Sequence, residues 1–217
     1  MIKAVLFDLD GTLLDTLGDI AASGNAVLRK RGLPEHEVDA YRQFVGDGMM
    51  NLARRIFPPD QTPAEGSELD QATAEYKAEY ARHWLGTTRP YDGIAELLDA
   101  LVARGIKLGV VSNKAHAFTG ECIEAFVGDW SWSAVIGQRD GIPHKPDPAG
   151  ALEAAREMGV TPEECAFVGD SGVDMQTGSR AGMKAIGVLW GFRGEAELRE
   201  NGAAAVIERP EDLLAHL

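Results

Sequence analysis

Cysteine is almost missing from this chain: Cys122 and Cys165 are the only two in 217 residues, and they lie far apart. A disulfide framework or a thiolate zinc site needs more sulfur than that, so both are read as buried thiols of a reducing compartment. Long apolar runs are missing too. No stretch approaches the roughly 20 consecutive apolar residues that span a bilayer. The opening MIKAVLFDLD has no basic start, long apolar segment or small-residue cleavage site of a secretory leader. No membrane association and a cytoplasmic location are therefore expected. Positive charge is scarce, with 21 Lys and Arg against 34 Asp and Glu and a formal net charge of −13. Nucleic acid, whose phosphates demand a basic footprint, is an unfavoured partner. The same deficit opposes an anionic substrate unless a metal and a few cations make one site locally positive. Internal repeats and low-complexity tracts are absent.

What is present is concentrated first in residues 2–14, IKAVLFDLDGTLL. Val5, Leu6 and Phe7 read as a strand buried on both faces. Open α/β sheets present ligands at the carboxyl ends of their strands, which puts Asp8 and Asp10 where chemistry is expected. Two carboxylates separated by one residue repel unless a cation or shared proton relieves them. A hard divalent ion with oxygen ligands answers that need, and Mg²⁺ is commonly shared with a phosphate. A bare acidic turn would explain DLDGT alone, but not the second acidic group, Asp170 and Asp174, which follows the apolar 166–168 and a glycine.

Periodicity divides the chain. After residue 16, capped by Asp15 or Thr16, the apolar spacing is helical up to Arg31-Gly32. Further helices are expected over 38–45, 49–57 and 68–85, broken by Gly46-Asp47-Gly48 and Pro58-Pro59. From Tyr91 helices alternate with short apolar strands at 106–111, 134–136, 166–168, 184–189 and 204–207. Helices are expected over 115–127, from Asp147-Pro148 to 159, over 175–181 and over 210–217, and a stripe of Ile94, Leu97, Leu98, Leu101 and Val102 marks another. This predicts an α/β, Rossmann-like parallel sheet formed by 1–14 and 91–217, with a helical unit, 15–90, inserted after the first strand.

Four short motifs in order give the chain a family look: Asp8-Leu9-Asp10-Gly11-Thr12, Ser112 in VVSNK, Lys145 in HKPDP, and Gly169-Asp170-Ser171-Gly172-Val173-Asp174. With these the chain resembles the haloacid dehalogenase (HAD) superfamily of phosphotransferases along nearly its whole length, and within it the phosphoglycolate-phosphatase-like members. The resemblance implies a HAD-like core whose inserted helical cap moves to close on substrate, with hinges near 14–16 and 88–90. It also implies a Mg²⁺-dependent phosphatase acting on a small phosphorylated metabolite. Asp10 sides with phosphate esters, because dehalogenating members lack an acid there and phosphonate-cleaving members carry alanine.

The resemblance assigns Asp8 as the nucleophile that forms an acyl phosphate and Asp10 as acid and then base. Spacing alone leaves open which acid attacks, or whether both only bind metal. The expected metal set is Asp8, Asp10 through its backbone carbonyl, Asp170 and Asp174. Asp174 could instead act through water, orient Lys145 or cap a helix. Lys145 is read as a fixed cation for the transferring phosphoryl group. Ser112, with amides at a helix start, is read as a phosphate ligand, and Asn113 as the residue holding that turn. Thr12 is expected on a carboxylate of the first motif, and Arg54 and Arg55 as cap residues that contact substrate. Lys114, close to Ser112, is a candidate whose alternative is to neutralise helix-end or surface charge; Trp190 and Phe192 read as packing. Competing readings are a phosphosugar mutase of the same superfamily, a phospho-accepting receiver module and a non-catalytic binding domain. A monomer or homodimer is expected.

Overall fold

Four consecutive apolar residues, Ala4–Phe7, form the first strand, β1, with every side chain buried, as a strand covered on both faces requires. The computed structural model describes residues 1–217. The chain divides into two units, Met1–Leu14 with Pro90–Leu217, and Asp15–Arg89. At the two crossings β2 (Leu14–Asp15) and β3 (Arg89–Pro90) pair as a two-stranded ribbon, which the apolar pattern did not reveal because two residues carry no period.

The smaller unit is helical: α1 (Leu17–Lys30), α2 (Tyr41–Phe44), α3 (Met49–Arg55) and α4 (Ser67–His83). α4 packs on both α1 and α3. Tyr76 and Tyr80, one turn apart, are buried and stacked, with ring centroids 6.2 Å apart. The helix expected over 38–45 is instead a 3₁₀ turn, Val38–Ala40, followed by the short α2. Gly32, at φ +68, ends α1 in the left-handed conformation expected of a helix-terminating glycine.

The larger unit resumes with α5 (Ile94–Ala103), β4 (Lys107–Ala115), α6 (His116–Val127), β5 (Trp132–Gln138), α7 (Ala149–Met158) and β6 (Cys165–Gly169). It ends with α8 (Gly172–Arg180), β7 (Lys184–Val188), α9 (Glu195–Glu200) and β8 (Ala205–Ile207). Six strands form one sheet in the order β5-β4-β1-β6-β7-β8, every pairing parallel. This is the α/β architecture the alternation predicts, with β1 at the centre. A core cluster joins Leu6, Phe167, Val111 and Ile136 of the sheet to Ala151, Ala154 and Met158 of α7. No helix is long and apolar enough to cross a membrane.

Three local expectations fail for physical reasons. β4 does not stop at Val111 but continues through Ser112 to Ala115, its pairing with β5 shifting register between Val111 and Ala115. Val102 is exposed, because it follows Leu101 by 100° around α5 and falls off the buried stripe. The closing helix is a 3₁₀ segment, Pro210–Ala215, held by i→i+3 bonds such as Asp212 N to Arg209 O at 3.1 Å.

Candidate active site

The central strand delivers the first acid. Phe7 pairs with Val168 of β6, and Asp8 N donates to Val168 O at 2.9 Å, so Asp8 leaves the sheet at its carboxyl edge beside the end of β6. Asp170 follows β6 directly, and Asp174 lies in the first turn of α8. One carboxylate oxygen from each of Asp8, Asp170 and Asp174 lies within 4.8 Å of the others. Lys145, buried in the loop before α7, brings its Nζ to 2.8 Å from Asp8 Oδ1 and 2.7 Å from Asp174 Oδ1.

Burial dominates the electrostatics. It pushes the Asp8 carboxyl up to about 6, Lys145 pulling it back and Asp174 and Asp10 pushing it further. Asp170 is pushed up to about 8, first by burial and then by the charges of Asp174 and Asp8, against bonds from Phe192 N and Thr12. Burial lowers the Lys145 pKa, but Asp174 and Asp8 outweigh it and raise the pKa above its ordinary value. One ammonium cannot offset three crowded carboxylates. Asp8 Oδ1 is buried and, despite its charge contact with Lys145, accepts no aligned hydrogen bond. An oxygen-rich, under-compensated cluster with a buried oxygen of this kind fits a hard divalent cation.

Asp170 is oriented on both oxygens. Thr12 Oγ1 donates to Oδ1 at 3.1 Å and Phe192 N to Oδ2 at 2.8 Å, while Trp190 Nε1 donates to Thr12 O at 2.9 Å. Thr12 thus binds the acid after β6 and not a carboxylate of its own motif, because the chain reverses at Gly11, φ +87. A Cβ at Gly11 would stand 2.6 Å from Asp170 Oδ2. Across the carboxylate, a Cβ at Gly191 would stand 2.3 Å from Asp170 Cβ and from Gly11 O. Trp190 and Phe192, read as packing, therefore hold a site acid, Phe192 directly and Trp190 through Thr12. Only the lack of side chain at Gly191 signalled it in the sequence.

Asp174 caps and orients at once. Its Oδ2 accepts from Ser171 N at 3.0 Å and Ser171 Oγ at 2.6 Å, forming a capping box at α8, while Oδ1 meets Lys145. Asn113 exchanges two bonds with the Lys145 backbone, Nδ2 to O at 3.1 Å and Lys145 N to Oδ1 at 2.8 Å. Ser112, buried, accepts from Lys114 N at 3.3 Å. The Asp10 carboxylate lies outside the three-acid cluster and takes both its oxygens to Lys114 Nζ, at 2.8 and 3.0 Å. Arg54 and Arg55 find partners inside the helical unit: Arg54 lies 3.5 Å from Glu65, and Arg55 bonds Asp47 and Phe44 O, the latter at 3.2 Å.

Residues 5–188 match the family model of haloacid dehalogenase-like hydrolases. The phosphoglycolate phosphatase of Thiobacillus denitrificans is 32% identical over 208 residues, 95% of this chain and 91% of that protein. An N-acetylmuramic acid 6-phosphate phosphatase of Pseudomonas aeruginosa is 34% identical over 98% of this chain and 93% of its own. The crystal structure of a predicted phosphoglycolate phosphatase from Haemophilus somnus superposes with a TM-score of 0.89 at 27% identity, covering 99% of this chain and 97% of that one.

Proposed function

The chain belongs to the haloacid dehalogenase-like hydrolase family, and from that premise we propose that it is a Mg²⁺-dependent phosphatase that hydrolyses a small phosphomonoester through an aspartyl phosphate on Asp8. The observation that carries this reading is the convergence of Asp8, Lys145, Asp170 and Asp174 on one carboxyl edge of the sheet.

Asp8, Asp170 and the backbone carbonyl of Asp10 would hold the ion, with Asp174 beside them. When bound, Mg²⁺ supplies positive charge against the three carboxylates and the phosphate. The protein's own groups account for the rest. A carboxylate oxygen of Asp8 bonds to phosphorus as the ester P–O bond breaks, and the Asp10 carboxyl gives its proton to the departing alkoxide. In the second half, the Asp10 carboxylate takes a proton from water as the water oxygen bonds to phosphorus. The Asp8 O–P bond then breaks and releases inorganic phosphate. Lys145 and the Ser112 hydroxyl stabilise charge on the phosphoryl oxygens throughout.

Hydrolysis is favoured over isomerisation because the relatives named above are phosphatases. Phosphoglycolate is the first substrate to test and N-acetylmuramic acid 6-phosphate the second. Both are alkyl phosphates that carry a carboxylate, which gives Arg54 and Arg55 of the helical unit a substrate group to recognise. The unit's role as a closing cap belongs to the same proposal. The test is a phosphate-release screen over small phosphomonoesters with Mg²⁺ and with chelator, ranked by kcat/KM. Absence of Mg²⁺-dependent phosphate release from every ester would overturn the reading.

A further inference from the structure

Lys114 is a part-buried lysine, its side chain covered, that the phosphatase chemistry leaves unused. Its side chain is only 6% exposed, and its Nζ donates to both carboxylate oxygens of Asp10, itself 14% exposed, across 104 residues of sequence. A solvated lysine would be neither so covered nor bound at two points. Its backbone is pinned as well: Lys114 N donates to Ser112 Oγ at 3.3 Å, and the buried Thr119 hydroxyl donates to Lys114 O at 3.1 Å. The residue therefore starts from a fixed point at the end of β4, where the register shift against β5 falls. The Asp10 main chain is held separately, bridged to Leu14.

We propose that Lys114 is a positioning residue that sets where the Asp10 carboxylate stands relative to the ester oxygen it serves. The proposal rests on the reading of Asp10 as the acid–base group. Lys114 acts through Asp10 and does not itself touch the reacting atoms. Its two contacts restrict a side chain that would otherwise sample several rotamers, and misplacement of a proton donor by about 1 Å is enough to cost on the order of 10²-fold in rate. Two residues before it, Ser112 faces the phosphate in the proposed chemistry, so one short segment positions both the phosphoryl group and the group that protonates its leaving oxygen.

The experiment compares Lys114→Met, Lys114→Gln and Lys114→Arg with wild type on an alkyl phosphate and on p-nitrophenyl phosphate. An aryl oxide needs little help from a proton donor, so loss of positioning should lower kcat for the alkyl ester by roughly 10- to 100-fold and for the aryl ester far less, with KM little changed. Lys114→Arg, which can also reach two oxygens, should restore part of the alkyl rate. An equal fall on both esters, or a rise in KM at constant kcat, overturns the proposal. A crystal structure of Lys114→Met, or of Lys114→Gln if the first variant does not fold, supplies a readout independent of turnover. The Asp10 carboxylate should be displaced while Asp8 and Asp170 stay in position; an unmoved Asp10 would refute the positioning role. If wild type releases no phosphate from any ester, the function fails while the crystal structure still decides what Lys114 does.

Discussion

The ammonium of Lys145 lies 2.7 Å from Asp174 Oδ1 in a buried pair, and the same ammonium reaches Asp8 at 2.8 Å. One cation thus ties the end of β1 to the first turn of α8.

Removing that cation should cost more than removing the pair. Lys145→Met leaves the buried Asp174 carboxylate and the part-buried Asp8 carboxylate without their shared cation and should destabilise the protein by roughly 3–5 kcal/mol. Lys145→Met combined with Asp174→Asn should recover part of that loss. Urea unfolding of the two single variants and the double checks this; strict additivity would mean that the ion pair contributes no coupling.

The two acids of the first motif should separate by labelling. Asp8→Asn retains shape but cannot form an acyl phosphate, so both turnover and covalent phosphate should vanish. Asp10→Asn should lower alkyl-ester turnover by roughly 10²–10⁴-fold and spare an aryl ester by comparison, with phosphoenzyme accumulating on the aryl substrate. Rapid-quench labelling that put phosphate on Asp10 would reverse the roles.

Metal binding should depend on a glycine that carries no ligand group. A Cβ at Gly191 would collide with Asp170 Cβ and Gly11 O, so Gly191→Ala should push Asp170 aside and weaken Mg²⁺ by roughly 10- to 100-fold. Titration calorimetry measures this directly. Mg²⁺ should also raise the unfolding midpoint of wild type more than that of the variant, as a ligand that binds the folded state must.

Inside the helical unit, Asp19 of α1 is buried and accepts from Thr87 N and Oγ1, both at 2.7 Å, and from Thr88 N and Oγ1 at 2.9 and 2.7 Å. Burial raises its pKa, but the hydrogen bonds from Thr87 and Thr88 win and hold it below the ordinary 3.8. A carboxyl depressed in the folded state contributes stability above its unfolded pKa and loses it as pH falls through the folded value. Asp19→Asn, which turns an amide toward backbone donors, should cost about 1–3 kcal/mol at pH 7. The gap to wild type should narrow below pH 4 in denaturant titrations.

Much of the fold was legible because its signals are local. Four apolar residues in a row in β1, helical spacing in α1 and α5, and glycines that end helices each act over a few residues, and their alternation implies a parallel sheet. Boundaries were less legible where pairing decided them. β4 runs on to Ala115 because β5 lies alongside with a shifted register, and nothing within VVSNK records that neighbour.

The site divides the same way. That acids follow two buried strands is written in the chain, since Asp8 comes directly after an apolar run and Asp170 after an apolar run and a glycine. Which groups hold those acids is not written there. Thr12 reaches Asp170 across 158 residues and Lys114 reaches Asp10 across 104, and Phe192 meets Asp170 only because Gly191 has no side chain to keep them apart. Hydrophobic period and residue chemistry are properties of the sequence by itself, so strand ends and their carboxylates were determined there. Hydrogen-bond partners and burial arise only when β1, β4 and β6 lie side by side, so the tertiary structure decided which lysine serves which acid.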